Sequence, residues 1–134
     1  MILTILTLII SMEQNANLTP EQQNICFQKG TEPPFSGKYV NFHEDGTFVC
    51  VNCGQTLFAS ATKFDSGSGW PSFTDVIGQG QVKLQEDLTM GMSRMEVLCA
   101  NCGSHLGHVF EDGPSETGKR YCINSLALNF KNKE

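Results

Sequence analysis

Four of the six cysteines in this chain fall into two matching knuckles, and two stand apart. Cys50-Val51-Asn52-Cys53-Gly54 and Cys99-Ala100-Asn101-Cys102-Gly103 share the form Cys-x-Asn-Cys-Gly, each following an apolar pair. A Cys-x-x-Cys-Gly turn aims two sulfurs at one point, and two such turns supply the tetrahedron that a structural Zn²⁺ takes. Cys99, Cys102, His105 and His108 also stand three apart and formally make a Cys₂His₂ set, and four thiolates also suit iron–sulfur ligation. The first alternative strands Cys50 and Cys53, so the reading adopted is one closed, structural zinc held by Cys50, Cys53, Cys99 and Cys102. Stapling two distant hairpins in this way ties folding to the metal.

Cys26 and Cys122 remain. In Arg120-Tyr121-Cys122-Ile123-Asn124-Ser125 the period of a strand puts Arg120, Cys122 and Asn124 on one face and Tyr121 and Ile123 on the other. A guanidinium beside a thiol favours the thiolate, so Arg120 is expected to lower the pKa of Cys122. An isolated cysteine in a strand also reads as core. His105-Leu106-Gly107-His108 suits general acids beside a thiolate, and equally suits hydrogen bonding around the knuckle. On a regular strand the two imidazoles face opposite ways. A bulge permitted by Gly107 would turn both inward. Ser66-Gly67-Ser68-Gly69-Trp70 runs a flexible loop into the only tryptophan, which fits either an apolar pocket wall or the core.

The elements that must position these residues are short. Thr19-Pro20-Glu21-Gln22 reads as a capped helix start, and the helix runs through Ile25 and Cys26 and ends before Gly30. Gly30–Gly37 is irregular because of Pro33-Pro34. Tyr39, Val40 and Phe42 are expected to form a hairpin with Thr47–Val49 across Asp45-Gly46. Further strands are expected at Thr56–Phe58, Gln81–Leu84, Arg94–Leu98, Leu106–Phe110, Arg120–Asn124 and Leu126–Phe130. The fold class is mostly β and antiparallel, with a short N-terminal helix. The chain divides into an apolar, variable segment (residues 1–17) and one domain (18–134). The apolar run Met1–Ile10 reads as a weak export signal or as sequence before a true start at Met12, since no Lys or Arg precedes Lys29. A net charge of −5 without basic clusters argues against nucleic acid and anionic membrane partners.

Taken in order, Gly30-Thr31-Glu32-Pro33-Pro34-Phe35-Ser36-Gly37-Lys38-Tyr39, both knuckles, Gly69-Trp70-Pro71-Ser72-Phe73, His105–Phe110 and Arg120–Ser125 resemble the methionine-R-sulfoxide reductase B family. The resemblance spans about Leu18 to Phe130. It implies two antiparallel sheets with the catalytic cysteine on a central strand, a zinc cofactor, and reduction of methionine R-sulfoxide in oxidised proteins through a sulfenic acid. By the same resemblance Cys122 is the nucleophile, His105 and His108 protonate the departing oxygen, and Trp70 packs against the substrate methyl group. Arg120 favours the thiolate, Asn124 orients its neighbours, and Asp112 holds a histidine or a water. Thioredoxin or another thiol is the implied reductant, the chain is expected to be monomeric and the setting cytoplasmic.

One departure is informative: many members carry a resolving cysteine two residues before the tryptophan, where this chain has Ser68. Cys26 is then the remaining candidate resolving thiol, with direct reduction by an external thiol as the alternative. A zinc-ribbon binding module and a glutathione-dependent aldehyde-processing enzyme are the competing readings. The acidic charge weakens the first, and the combination of Trp70, His105, His108 and Cys122 excludes the second.

Overall fold

Helix α1 (Pro20–Gln28) begins where its capping chemistry puts it. Thr19 Oγ1 accepts from Gln22 N–H, the Gln22 side chain accepts from Thr19 N–H, and Pro20 takes the first helical position. The helix buries Ile25 and Cys26 and ends at Lys29, whose backbone turns left-handed (φ 61°). The computed structural model describes residues 14–133. The apolar run Met1–Ile10 and the alternative start at Met12 lie outside the described residues. Asn15 reaches the first knuckle, its N–H donating to Asn52 Oδ1 at 2.6 Å.

Among the described residues nine strands follow in chain order: β1 (Gly46–Cys50), β2 (Thr56–Ala59), β3 (Lys63–Phe64), β4 (Ser72–Phe73), β5 (Val82–Asp87), β6 (Arg94–Cys99), β7 (His105–Phe110), β8 (Arg120–Ile123) and β9 (Leu128–Asn132). They form two antiparallel sheets, one ordered β2-β1-β9 and the other β3-β4-β8-β7-β6-β5. Aromatic residues join the sheets. Phe58 stacks on Phe73 at 4.4 Å, and Phe48 meets Phe73 edge-on at 5.2 Å, linking β1 and β2 to β4. Phe48, Phe58 and Phe73 are completely buried. Aromatic pairs at these separations add to the stabilisation from buried area, so this cluster is where the sheets are held together.

The expected hairpin from Tyr39 to Val49 does not form. Residues 38–41 make turns, and β1 pairs instead with β2 and β9. Tyr39 and Phe42 are used as packing: both lie edge-on to Phe48, and Tyr39 N–H donates to Ser125 Oγ. Hydrophobic alternation alone does not distinguish a strand from a turn whose aromatics fold back onto the core. The last strand also starts later than expected, at Leu128, because Ser125–Ala127 forms a 3₁₀ turn.

Glu32 fixes the irregular segment before β1 to that turn. Its buried carboxylate accepts from Ser125 N–H at 2.8 Å and from Leu126 N–H at 2.9 Å. Burial pushes its pKa up, while the two backbone donors favour the charged form. Replacing Glu32 with Ala leaves both donors without this acceptor, which is expected to cost about 2–4 kcal/mol in urea unfolding. Glu32→Gln, which keeps an acceptor, is expected to lose less.

Candidate active site

Strand β8 alternates as its sequence implies. Tyr121 and Ile123 are in the core, while Arg120, Cys122 and Asn124 line a cavity of about 210 Å³. Thr31, Ser68, Trp70, Arg94, His108 and Phe110 complete much of the lining. The volume falls below the roughly 300–1,000 Å³ of pockets for drug-sized ligands, so it suits one side chain. Cys122 is half-buried on the floor, facing Ser72 across β4–β8 and His108 across β7–β8.

Gly107 makes that arrangement possible. A Cβ there would lie 2.1 Å from the carbonyl oxygen of Cys122, so only glycine lets β7 approach β8 this closely. The bulge expected near Gly107 is present. Val97 pairs with Gly107 and Leu98 with His105, leaving Leu106 as the extra residue. This shift in parity brings His105 and His108 to ring contact at 5.5 Å, while Leu106 and Val109 enter the core.

Each histidine has its own carboxylate. His108 Nε2 lies 2.7 Å from Asp87 Oδ2, and His105 Nδ1 lies 2.6 Å from Glu96 Oε2. Asp87 and Glu96 are both buried and share Lys29 Nζ, at 3.3 and 3.4 Å. Hydrogen bonds from His108 and Thr89 hold Asp87 well below the usual carboxylate range. Burial holds His105 below the ordinary imidazole value despite the pull of Glu96. His105 lies behind His108 rather than on the cavity wall, and among the described residues its Nε2 and Arg94 Nε are buried without a hydrogen-bond partner.

Three expectations change. Burial raises the pKa of Cys122, and Arg120 and a hydrogen bond from Ser68 only partly offset it. Asp112 is exposed and holds neither histidine. Its carboxylate accepts from Nε and Nη2 of Arg120, at 2.9 and 3.1 Å, and so sets the arginine over the Phe110 ring. Cys26 is not among the residues that line the cavity with Cys122. It lies by Ser104 beside the second knuckle, and burial pushes its pKa up to about 11.

Trp70 Nε1–H donates to the Glu32 carbonyl, which fixes the indole at the cavity edge. The Asn124 amide ties β7 to the irregular segment before β1, donating to the Leu106 carbonyl and accepting from Glu32 N–H. Sequence reasoning missed Asp87, Glu96, Arg94 and Lys29. Only Glu96 carries a signal, as a carboxylate among the apolar residues of β6.

The four knuckle sulfurs lie within 4.8 Å of one another, with Cys50–Cys102 at 3.7 Å and Cys53–Cys99 at 3.5 Å. Four thiolates about 2.3 Å from a central ion stand roughly 3.8 Å apart, so the sulfurs fit a tetrahedral metal. Both turns are built alike: Gly54 N–H donates to the Cys50 carbonyl and Gly103 N–H to the Cys99 carbonyl, with φ of 84° and 82° at the glycines. Removing the metal with a chelator is expected to lower the thermal midpoint sharply and release about one equivalent of ion per chain. Retained stability would contradict a structural site.

A family model described as the SelR domain matches residues 18–132. The peptide methionine sulfoxide reductase MsrB of Methanosarcina barkeri is 62% identical over 117 residues, covering 87% of this chain and 82% of that protein. The protein of that name from Leptospira interrogans is 55% identical over 114 residues, covering 85% of this chain and 87% of the relative. Mouse methionine-R-sulfoxide reductase B3, mitochondrial, is 52% identical over 118 residues, which is 88% of this chain and 47% of that longer protein. With matches of this extent over one cysteine-floored cavity and one pair of knuckles, the chain belongs to the methionine-R-sulfoxide reductase B family.

Proposed function

We propose that this chain reduces the R epimer of methionine sulfoxide, in oxidised polypeptides and as the free amino acid, with Cys122 as the reacting thiol. The observation that carries the reading is that Cys122, Trp70 and His108 line one side-chain-sized cavity. The Cys122 thiolate forms a bond to the electrophilic sulfoxide sulfur, and His108 protonates the sulfoxide oxygen as its S–O bond weakens. Oxygen is transferred to Cys122, methionine departs, and the cysteine sulfur supplies the two electrons as it becomes a sulfenic acid. His105 supports His108 from behind, and Arg120, held by Asp112, favours the thiolate. The Trp70 indole packs against the substrate methyl group, the feature that separates the two epimers. Asn124 keeps the cavity floor in register.

The tetrahedral spacing of Cys50, Cys53, Cys99 and Cys102 supports Zn²⁺ as the bound ion. When bound, it would brace the two knuckles and leave the reaction to Cys122. With Cys26 buried beside the second knuckle, regeneration falls to an external thiol. Thioredoxin or a similar dithiol attacks the sulfenic acid, water leaves, and a second thiol resolves the mixed disulfide. This cycle needs no second subunit and suits a reducing, cytoplasmic setting. Among the described residues, no helix is long and apolar enough to cross a membrane.

Incubation with both sulfoxide epimers and a dithiol should consume only the R epimer, resolved on a chiral column. Cys122→Ser should abolish the loss, and Cys26→Ser should keep most of the thioredoxin-supported rate. Consumption of neither epimer by folded, metal-loaded protein would overturn the reading. Loss of thioredoxin-supported turnover in Cys26→Ser would return Cys26 to the role of resolving thiol.

A further inference from the structure

The two buried carboxylates behind the histidines each face two ways. Asp87 turns Oδ2 to His108 Nε2 at 2.7 Å and Oδ1 to Lys29 Nζ at 3.3 Å. Glu96 turns Oε2 to His105 Nδ1 at 2.6 Å and Oε1 to the same ammonium at 3.4 Å. Oxygens that share one cation at these distances lie within about 7 Å of each other. Two carboxylates buried that close repel unless a positive charge stands between them. They do not depend on Lys29 equally. Asp87 Oδ1 also accepts from Thr89 N–H at 3.0 Å and from the Thr89 hydroxyl at 2.7 Å, and Arg94 Nη2 lies 3.7 Å from Oδ2. Among the described residues, Glu96 Oε1 has only Lys29.

Lys29 ends helix α1 in the left-handed region, with φ 61° and ψ 35°, and its N–H closes the helix by donating to the Asn24 carbonyl. Glycine is the usual residue at such a helix end, because a Cβ is crowded there. The helix end therefore gains nothing from the lysine side chain. What that side chain does is reach two buried groups from the surface: it is 38% exposed, against 2% and 4% for the side chains of Asp87 and Glu96.

We propose that Lys29 is a positioning residue for the histidine pair. Its ammonium fixes the outer oxygens of Asp87 and Glu96, and so holds their inner oxygens on the ring nitrogens of His108 and His105. With both carboxylates ionised, each ring nitrogen is the donor. The effect on His105 is the larger, since Glu96 lacks the second anchor that Thr89 gives Asp87. His105 packs edge-on against His108, so loss of the cation loosens the group that faces the cavity as well. The bearing on catalysis rests on His108 being the proton donor proposed above.

The test is proton NMR of the ring N–H groups in metal-loaded, histidine-labelled protein. Protons in hydrogen bonds of 2.6 and 2.7 Å to buried carboxylates exchange slowly and give signals downfield of the amides. Lys29→Gly suits the left-handed backbone, and Lys29→Met keeps a side chain without the charge. In both, the His105 Nδ1–H signal should be lost to exchange, while the His108 Nε2–H signal should move less. Lys29→Arg should keep both. In Lys29→Gly and Lys29→Met, kcat for the R-sulfoxide should fall about tenfold with KM little changed, part of the roughly 10²–10⁴ that a positioned proton donor contributes. Lys29→Arg should restore it. The proposal is overturned by ring signals that are unchanged in Lys29→Gly and Lys29→Met, by loss of the His108 signal ahead of that of His105, or by loss of both in Lys29→Arg. Absence of such signals from the parent protein, or a kcat unchanged where the His105 signal is lost, would also overturn it. The spectra do not require turnover. A protein whose signals respond as expected but which consumes neither epimer would refute the proposed activity and leave Lys29 as the residue that positions the histidines.

Discussion

The close approach of β7 to β8 at Gly107 is the constraint on which the site depends. With no Cβ at 107, the two backbones meet beneath Cys122, and the register that follows places His108 opposite the thiol. The bulge at Leu106 then gives one strand two functions. Leu106 and Val109 fill the core, and His105 and His108 share the other face despite their odd spacing. A regular β7 would place one imidazole on each side of the sheet.

Around that contact the charges are arranged in layers. His108 reaches the cavity, and Asp87 and Glu96 stand behind the two histidines. Lys29 bridges both carboxylates from the end of α1, and Arg94 approaches Asp87 at 3.7 Å. Carboxylates this deeply buried are costly unless paired, so the helix is held to the sheet by charge as well as by Ile25 and Cys26. The thiol sits in a different environment. Burial opposes its ionisation, and the groups that favour it are Arg120 and the Ser68 hydroxyl. Cys122 is therefore held as a thiol by burial, with Arg120 opposing it.

Much of this site was legible in the sequence, and what was missed has physical causes. The period-two alternation of Arg120 to Ile123 assigned both faces of β8 correctly, because a strand leaves little freedom in that choice. The knuckles announced a four-sulfur cluster, since two identical tight turns have few other uses. Asp87 was not legible. A carboxylate near the end of a polar strand looks the same whether it faces water or a histidine, and only the pairing of β5 with β6 decides which. The Tyr39–Phe42 hairpin failed for a similar reason, its aromatics serving as packing rather than pairing. Cys26 looked available by elimination, but the docking of α1 placed it against the second knuckle.

The most direct test of Cys122 as the reacting group is a single turnover without reductant. Protein mixed with excess R-sulfoxide should release about one methionine per chain, and a sulfenic-acid trap should then add to the peptide Tyr121–Lys131 and to no other. Methionine release with the trap on Cys26, or release with no modification of Cys122, would contradict the account.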